Sequence, residues 1–227
     1  MRMLHEDLLA KVAGERERIV TRRGLMTGSA KIAAGGTLAL ALGGGALKLR
    51  SAAAQGDERD EAFESDIDVL NYALTLEHLE FSFYRDGIDQ FTFGNDPFGQ
   101  SIDTNLAAIR DHEGAHVDVL TQVITDLGGE PVEEAEYDFG YTSLEEFLQV
   151  AAVIEGVGVA AYTGAAQFLI EEDALLTAAL TIHGNEARHA AYLNLVAGAG
   201  SPFPAAFETP MTPDEVLEAA TPFFVTE

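Results

Sequence analysis

The chain has 227 residues, enough for one domain with a core, and no cysteine, which excludes disulfides, thiolate metal sites and cysteine nucleophiles. Acidic residues outnumber lysine and arginine by 38 to 13, and from Gln55 onward there are four arginines and no lysine. This balance excludes a nucleic-acid partner, which would require basic clusters, and predicts a halophilic source, because salt screens the repulsion between so many carboxylates.

Residues 1–54 are predicted to be a leader rather than part of the fold. The run Thr21-Arg22-Arg23-Gly24-Leu25-Met26 resembles a twin-arginine export signal, and an apolar stretch and the small residues Ala52-Ala53-Ala54 follow it. A transmembrane anchor is the alternative, but the stretch is short and glycine-rich for a span. We therefore expect export to the cell envelope or the outside, with membrane contact only through an uncleaved signal. Residues 55–64 are predicted to be a disordered acidic linker.

Four apolar segments with helical spacing follow, at about 65–87, 103–127, 143–170 and 172–196. Ser65 or Asp66 can cap the first helix, and Ser143 with Glu146 has the pattern of a capping box. No segment alternates with period two. The pattern predicts an all-α fold over residues 65–198, an up-down four-helix bundle with a long crossover between helices 2 and 3. The Pro-rich segment 199–227 is predicted to pack on the bundle without forming a short fifth helix.

Glutamate and histidine recur in the apolar faces of these helices. Two helices each contain a lone glutamate and the other two each contain Glu-x-x-His, a ligand set for a carboxylate-bridged pair of metal ions in a bundle core. The six candidate ligands are Glu77, Glu113, His116, Glu155, Glu186 and His189. The glutamate of each Glu-x-x-His would bridge both metals, its histidine would bind one, and each lone glutamate would bind one. Four carboxylates offset two divalent cations, and oxygen-rich ligands with one imidazole per metal favour iron, with manganese as the alternative.

An internal repeat accompanies the candidate ligands. Tyr84 follows Glu77 by seven residues, and Tyr162 follows Glu155 by seven. Each pair precedes a helix with Glu-x-x-His, which predicts two helix hairpins related by a pseudo-two-fold axis. Both tyrosines are candidate hydrogen-bond donors behind the ligands.

Four further side chains are weighed as neighbours of the site. Glu80 could be an additional ligand, although a position at the bundle edge is favoured. His183 is expected to support the ligands, with a role as a third imidazole as the less favoured alternative. His112 is expected at the rim or behind the ligands rather than in a zinc site with His116, and His78 is expected on the surface.

Three segments of the chain resemble the ferritin-like family that includes plant desiccation-related proteins. They are Leu70 to Glu80 with Phe83-Tyr84, Ala152 to Tyr162, and the tail from Thr212 to Val225. The resemblance covers about residues 65–227. It implies a ferritin-like bundle with the same six ligands, but it does not imply one activity, because one fold supports many reactions.

The favoured function is an exported oxidoreductase whose two metal ions act on dioxygen, peroxide or ferrous iron, with dimanganese catalase chemistry also compatible. The alternative is a non-catalytic envelope or desiccation-protection protein with a structural or vestigial metal site. An iron-storage cage is disfavoured because no short fifth helix is predicted. A homo-oligomer is left open. The expected partners are therefore a small-molecule oxidant or Fe²⁺.

Overall fold

The computed structural model describes residues 39–42, 45–48, 62–169 and 172–225. The predicted twin-arginine motif, the cleavage site and most of the predicted linker lie outside the described residues. Two short strands, β1 (Ala39–Leu42) and β2 (Gly45–Lys48), pair antiparallel within the leader, with Ala39 opposite Lys48. The sequence did not predict this ribbon, which lies outside the sequence range of the bundle.

Four long helices make up the domain: α1 (Asp66–Gly87), α2 (Ile102–Asp126), α3 (Leu144–Ala165) and α4 (Asp173–Val196). This confirms the all-α prediction for the domain. Short 3₁₀ turns follow α1 at Ile88–Gln90 and α3 at Ala166–Phe168. Serine side chains cap the first three helices by accepting hydrogen bonds from backbone N–H groups, which supplies partners for otherwise unpaired donors.

The predicted capping box of α3 forms only in part. Ser143 accepts a hydrogen bond from the backbone N–H of Glu146 as expected, at 3.2 Å. The Glu146 carboxylate instead accepts from the backbone N–H of Thr142, at 2.7 Å. The physical reason is that the Thr142 hydroxyl also donates to this carboxylate, so two donors of one residue hold it there.

The crossover between α2 and α3 lies along α1. Near the start of α1, Asn71 donates to the crossover backbone, and near its end Arg85 pairs with Glu134 of the crossover at 2.9 Å. Helix α3 therefore begins beside the end of α1, where the Phe83 and Phe147 rings stack with centroids 4.5 Å apart. As a result α2 and α3 run parallel, and α1 runs antiparallel to both.

The C-terminal segment packs on α3, as predicted, but the prediction of no short fifth helix is wrong. Helix α5 (Pro213–Ala220) begins at a complete capping box between Thr212 and Glu215, and a 3₁₀ turn at Thr221–Phe223 follows it. Proline is favoured at the first position of a helix, so Pro213 starts α5 rather than breaking it. The backbone N–H of Met211 donates to the carbonyl of Ala160 on α3, which joins the segment to the bundle.

Among the described residues, the run Leu144–Phe168 is long and apolar enough to cross a membrane, with a mean hydropathy of 1.4. However, 83% of its apolar window is buried inside the protein. Its apolar character is therefore explained by its burial within the protein.

Candidate metal centre

The six predicted ligands converge in the middle of the bundle, where each long helix contributes at least one of them. The four glutamate side chains are fully buried, and the histidine side chains are 12% (His116) and 5% (His189) exposed. They form two groups whose potential ligand atoms lie within 4.8 Å of one another: Glu77, Glu113, His116 and Glu186, and Glu113, Glu155, Glu186 and His189. Glu113 and Glu186 belong to both groups.

The Nδ1 atom of each histidine points into one group. His116 Nδ1 lies 3.0 Å from Glu77 and 2.9 Å from Glu113. His189 Nδ1 lies 2.8 Å from Glu113 and 3.3 Å from Glu155. Each imidazole therefore contacts a shared glutamate and the lone glutamate of its own hairpin.

Several of these atoms approach one another without hydrogen-bond geometry. Among the described residues, one oxygen of Glu113, one of Glu155, both of Glu186 and Nδ1 of His189 are buried and have no hydrogen-bond partner. Unpaired buried polar atoms are costly, and buried carboxylates still more so. Because the potential ligand atoms of each group lie within 4.8 Å of one another, these side chains fit two cations that would satisfy the unpaired atoms together.

Two tyrosines connect the halves of the site. Tyr84 on α1 donates to Glu155 on α3 at 2.5 Å, and Tyr162 on α3 donates to Glu77 on α1 at 2.5 Å. Each tyrosine thus supports the glutamate of the other hairpin. These reciprocal hydrogen bonds follow from the antiparallel packing of α1 and α3, and they agree with the predicted internal repeat.

The outer face of His189 has neighbours that sequence reasoning identified only in part. His112 Nδ1 lies 3.0 Å from His189 Nε2, and the two rings stack, which agrees with the predicted rim position of His112. The Asn185 amide also contacts Nε2, and Arg188 holds the amide oxygen at 2.9 Å. Asn185 was missed; its position one helical turn before His189 was the available signal.

The prediction that Glu80 lies at the bundle edge is wrong. Its side chain is 2% exposed, and one of its carboxylate oxygens has no hydrogen-bond partner among the described residues. Gly158 on α3 makes room for it, since a Cβ there would lie 2.6 Å from Glu80 Oε1 and 3.5 Å from Glu186. Glu80 is therefore a fifth buried carboxylate beside the cluster, although it belongs to neither ligand group.

His183 and His78 lie outside both ligand groups. His183 Nε2 lies 3.0 Å from the hydroxyl of Thr163, the residue after Tyr162. His78 is half-buried under the crossover, with Nε2 3.2 Å from the carbonyl of Val132. His183 is therefore not placed as a third imidazole, and His78 is more buried than the expected surface position.

The cluster of the metal-free protein holds extra protons. Burial raises the pKa of Glu77 to about 8, and burial with the neighbouring Glu186 raises the pKa of Glu155 well above its usual value. Burial disfavours the charged form of each histidine, but the surrounding carboxylates outweigh it and raise the pKa of His116 and of His189 to about 12. Metal binding at neutral pH would therefore have to release protons.

Comparison with known proteins agrees with this geometry. The family model for the ferritin-like domain matches residues 65–199, more than half of the chain. No curated protein matches the chain.

Proposed function

Because the chain belongs to the ferritin-like domain family, we propose that its buried Glu/His cluster binds two metal ions, with iron as the first choice and manganese as the second. The observation that supports this most strongly is that two four-residue groups share Glu113 and Glu186. Two separate sites would not require shared carboxylates, whereas a bridged pair does.

In this proposal the shared glutamates would hold both ions, Glu77 and His116 would complete the ligands of one ion, and Glu155 and His189 would complete those of the other. Four carboxylates offset the charge of two divalent cations. The absence of cysteine and the oxygen-rich ligands favour iron or manganese over structural zinc, which more often has cysteine ligands.

We further propose that the centre is an oxidoreductase site for dioxygen, peroxide or ferrous iron. Bound metals would supply Lewis acidity and a change of valence. The residues of the chain would orient and insulate them. Tyr84 and Tyr162 hold the terminal glutamates, His112 and Asn185 fix the ring of His189, and the buried bundle core limits water.

The location of the protein is also a proposal. The twin-arginine run in the leader supports export to the cell envelope or beyond. The acidic, lysine-free domain supports a high-salt environment there.

Metal content by mass spectrometry on protein matured in its native host tests the centre. We expect about two iron or manganese ions per chain, consistent with the ligand set, and their loss in Glu113→Ala and Glu186→Ala variants. Consumption of peroxide or dioxygen, or oxidation of Fe²⁺, by the loaded protein then tests the activity. Metal-loaded protein inactive in all three assays would favour the non-catalytic envelope protein, and absence of metal would remove the redox proposal.

A further inference from the structure

The two ligand groups of the candidate centre have the same composition. Each contains three glutamates and one histidine, and Glu113 and Glu186 belong to both. The likeness extends behind the lone glutamates, because each of them accepts a hydrogen bond from the tyrosine of the other hairpin. Any difference between two bound metal ions must therefore come from what surrounds the histidines.

The surroundings of the two histidines differ. His116 and His189 occupy matching places in the repeat, three residues after Glu113 and Glu186. Nε2 of His189 lies 3.0 Å from Nδ1 of His112. Among the residues that the structure describes, Nε2 of His116 has no hydrogen-bond partner, since that ring makes its hydrogen bonds through Nδ1. The His116 side chain is also the more exposed of the two, at 12% against 5%.

Both side chains at the outer edge of His189 come from matching positions of the repeat. His112 directly precedes Glu113, and Asn185 directly precedes Glu186. A symmetric centre would place one of them beside each histidine. In the structure both contact Nε2 of His189, and the Asn185 amide nitrogen also lies 3.3 Å from His112 Nδ1. The centre is therefore symmetric in its ligands and asymmetric behind them.

The contact with His112 determines which nitrogen of His189 carries hydrogen. An imidazole that binds a metal through Nδ1 carries its hydrogen on Nε2 and needs an acceptor there. The Asn185 amide nitrogen is a donor, and Arg188 keeps it turned toward the ring by donating to the amide oxygen at 2.9 Å. Nδ1 of His112 is therefore the acceptor, and the two ring planes are nearly parallel, 9° apart. His112 thus holds His189 in the form that leaves Nδ1 free for a metal ion.

This support should strengthen metal binding on one side of the centre. Hydrogen-bond partners behind a metal-binding histidine typically change metal affinity by about 10- to 100-fold, because they fix the ring and the position of its hydrogen. The positive charge of Arg188 acts in the opposite direction. However, Arg188 is exposed, and salt screens exposed charges. The net effect favours the ion beside His189.

We propose that the two metal positions are unequal, and that His112 is the positioning residue that makes them so. The position of Glu155 and His189 binds its ion about tenfold or more tightly than the position of Glu77 and His116, and it fills first. The proposal rests on the proposed function, in which the cluster binds two ions. It goes beyond that function because a bridged pair does not require unequal halves.

Titration of the full-length, metal-free protein with Mn²⁺ tests the order of filling, with free Mn²⁺ measured by its electron paramagnetic resonance signal. Glu77→Gln leaves the position of His189, and Glu155→Gln leaves the position of His116. We expect Glu77→Gln to bind its one ion about tenfold or more tightly than Glu155→Gln. Equal affinities, or the reverse order, would overturn the proposal. A wild-type protein that binds no Mn²⁺ and no iron would instead refute the proposed function, and this inference with it.

Substitution of His112 then tests its role. In the Glu77→Gln background, His112→Ala should weaken the remaining ion about 10- to 100-fold. His112→Asn should restore most of the affinity, because its amide oxygen can accept the hydrogen bond from His189. In the Glu155→Gln background, His112→Ala should leave the affinity unchanged, since no hydrogen bond joins His112 to His116 among the described residues. His112 is exposed, so these variants should fold.

Gln122→Ala is the control for changes on the same helix. Gln122 is also exposed on α2, and its amide donates to Asp126 rather than to the centre. This variant should leave the affinity unchanged in both backgrounds. Equal weakening of both positions by His112→Ala, or no recovery in His112→Asn, would show a general effect on the structure and overturn the role of His112.

Discussion

Replacing Glu155 by glutamine should remove one metal ion and leave the fold of the metal-free protein intact. Glu155 belongs to only one of the two ligand groups. Burial and the neighbouring Glu186 raise the pKa of Glu155 well above its usual value, which favours its neutral form in the metal-free protein. A neutral glutamine resembles that state, and its carbonyl oxygen can still accept the hydrogen bond from Tyr84.

The magnitude follows from mass action. A metal present at 100 times its dissociation constant stabilises the folded state by about 2.7 kcal/mol per site. For a domain of this size, 1 kcal/mol shifts the melting temperature by about 2–4 °C. Losing one site filled to this extent should therefore lower the melting temperature of the loaded protein by about 5–11 °C. The metal-free melting temperature should change by less than about 2 °C.

The assay is thermal unfolding with and without Mn²⁺ at fixed free concentration, together with metal content by mass spectrometry. Glu77→Gln is the matched control, because Glu77 holds the equivalent place in the other group and accepts from Tyr162. Each variant should retain about one metal, whereas Glu113→Ala should lose both. If Glu155→Gln retained two metal ions, or none, the assignment of Glu77 and Glu155 as ligands of one metal ion each would be refuted. A large loss of stability in the metal-free variant would refute the argument that burial favours the neutral form of Glu155.

Three further predictions concern stability. Because burial raises the pKa of Glu77 to about 8 and the site carboxylates raise those of both site histidines to about 12, the folded metal-free protein binds more protons than the unfolded chain. As the pH rises from 6.5 to 8, its free energy of unfolding should therefore fall by about 1.4 kcal/mol per pH unit for each proton that the folded protein holds in excess. Urea titrations at several pH values measure this fall, which the metal-loaded protein should not show. Gly158→Ala should lower the free energy of unfolding by about 1–3 kcal/mol, because the new methyl group displaces the carboxylate of Glu80. In a Glu80→Ala background the same substitution should cost much less, and an unchanged cost there would point to another cause. Gly164→Ala should lower the free energy of unfolding by about 3 kcal/mol or more, because its Cβ would lie 1.9 Å from the backbone oxygen of Met211. The control Gly156→Ala has open space around its Cβ and should stabilise α3 by about 0.5–1 kcal/mol. Equal effects of the two variants in chemical unfolding would contradict the close packing of the C-terminal segment.

The local patterns of the sequence were sufficient to predict the helices and the candidate site. Helical spacing of apolar residues located all four long helices, and candidate serine caps indicated the starts of the first and third, since both signals depend on neighbours within a few turns. The two Glu-x-x-His pairs indicated a shared centre because residues three apart lie on one helix face. The same local rules applied to α5, since the capping pattern from Thr212 to Glu215 and the proline at 213 are signals of a helix start. The helix was missed because the segment after these signals is short.

Contacts between helices were decided only by the tertiary structure. The reciprocal bonds of Tyr84 and Tyr162 depend on α1 and α3 running antiparallel, which the crossover along α1 determines. Glu80 looked like an edge residue because its own helix gives no sign that Gly158 on another helix leaves space for it. The sequence by itself thus determined which residues share a helix face, a property of 3.6-residue periodicity. The tertiary structure decided which faces meet, because distant segments must be packed together before space, burial and hydrogen-bond partners are defined.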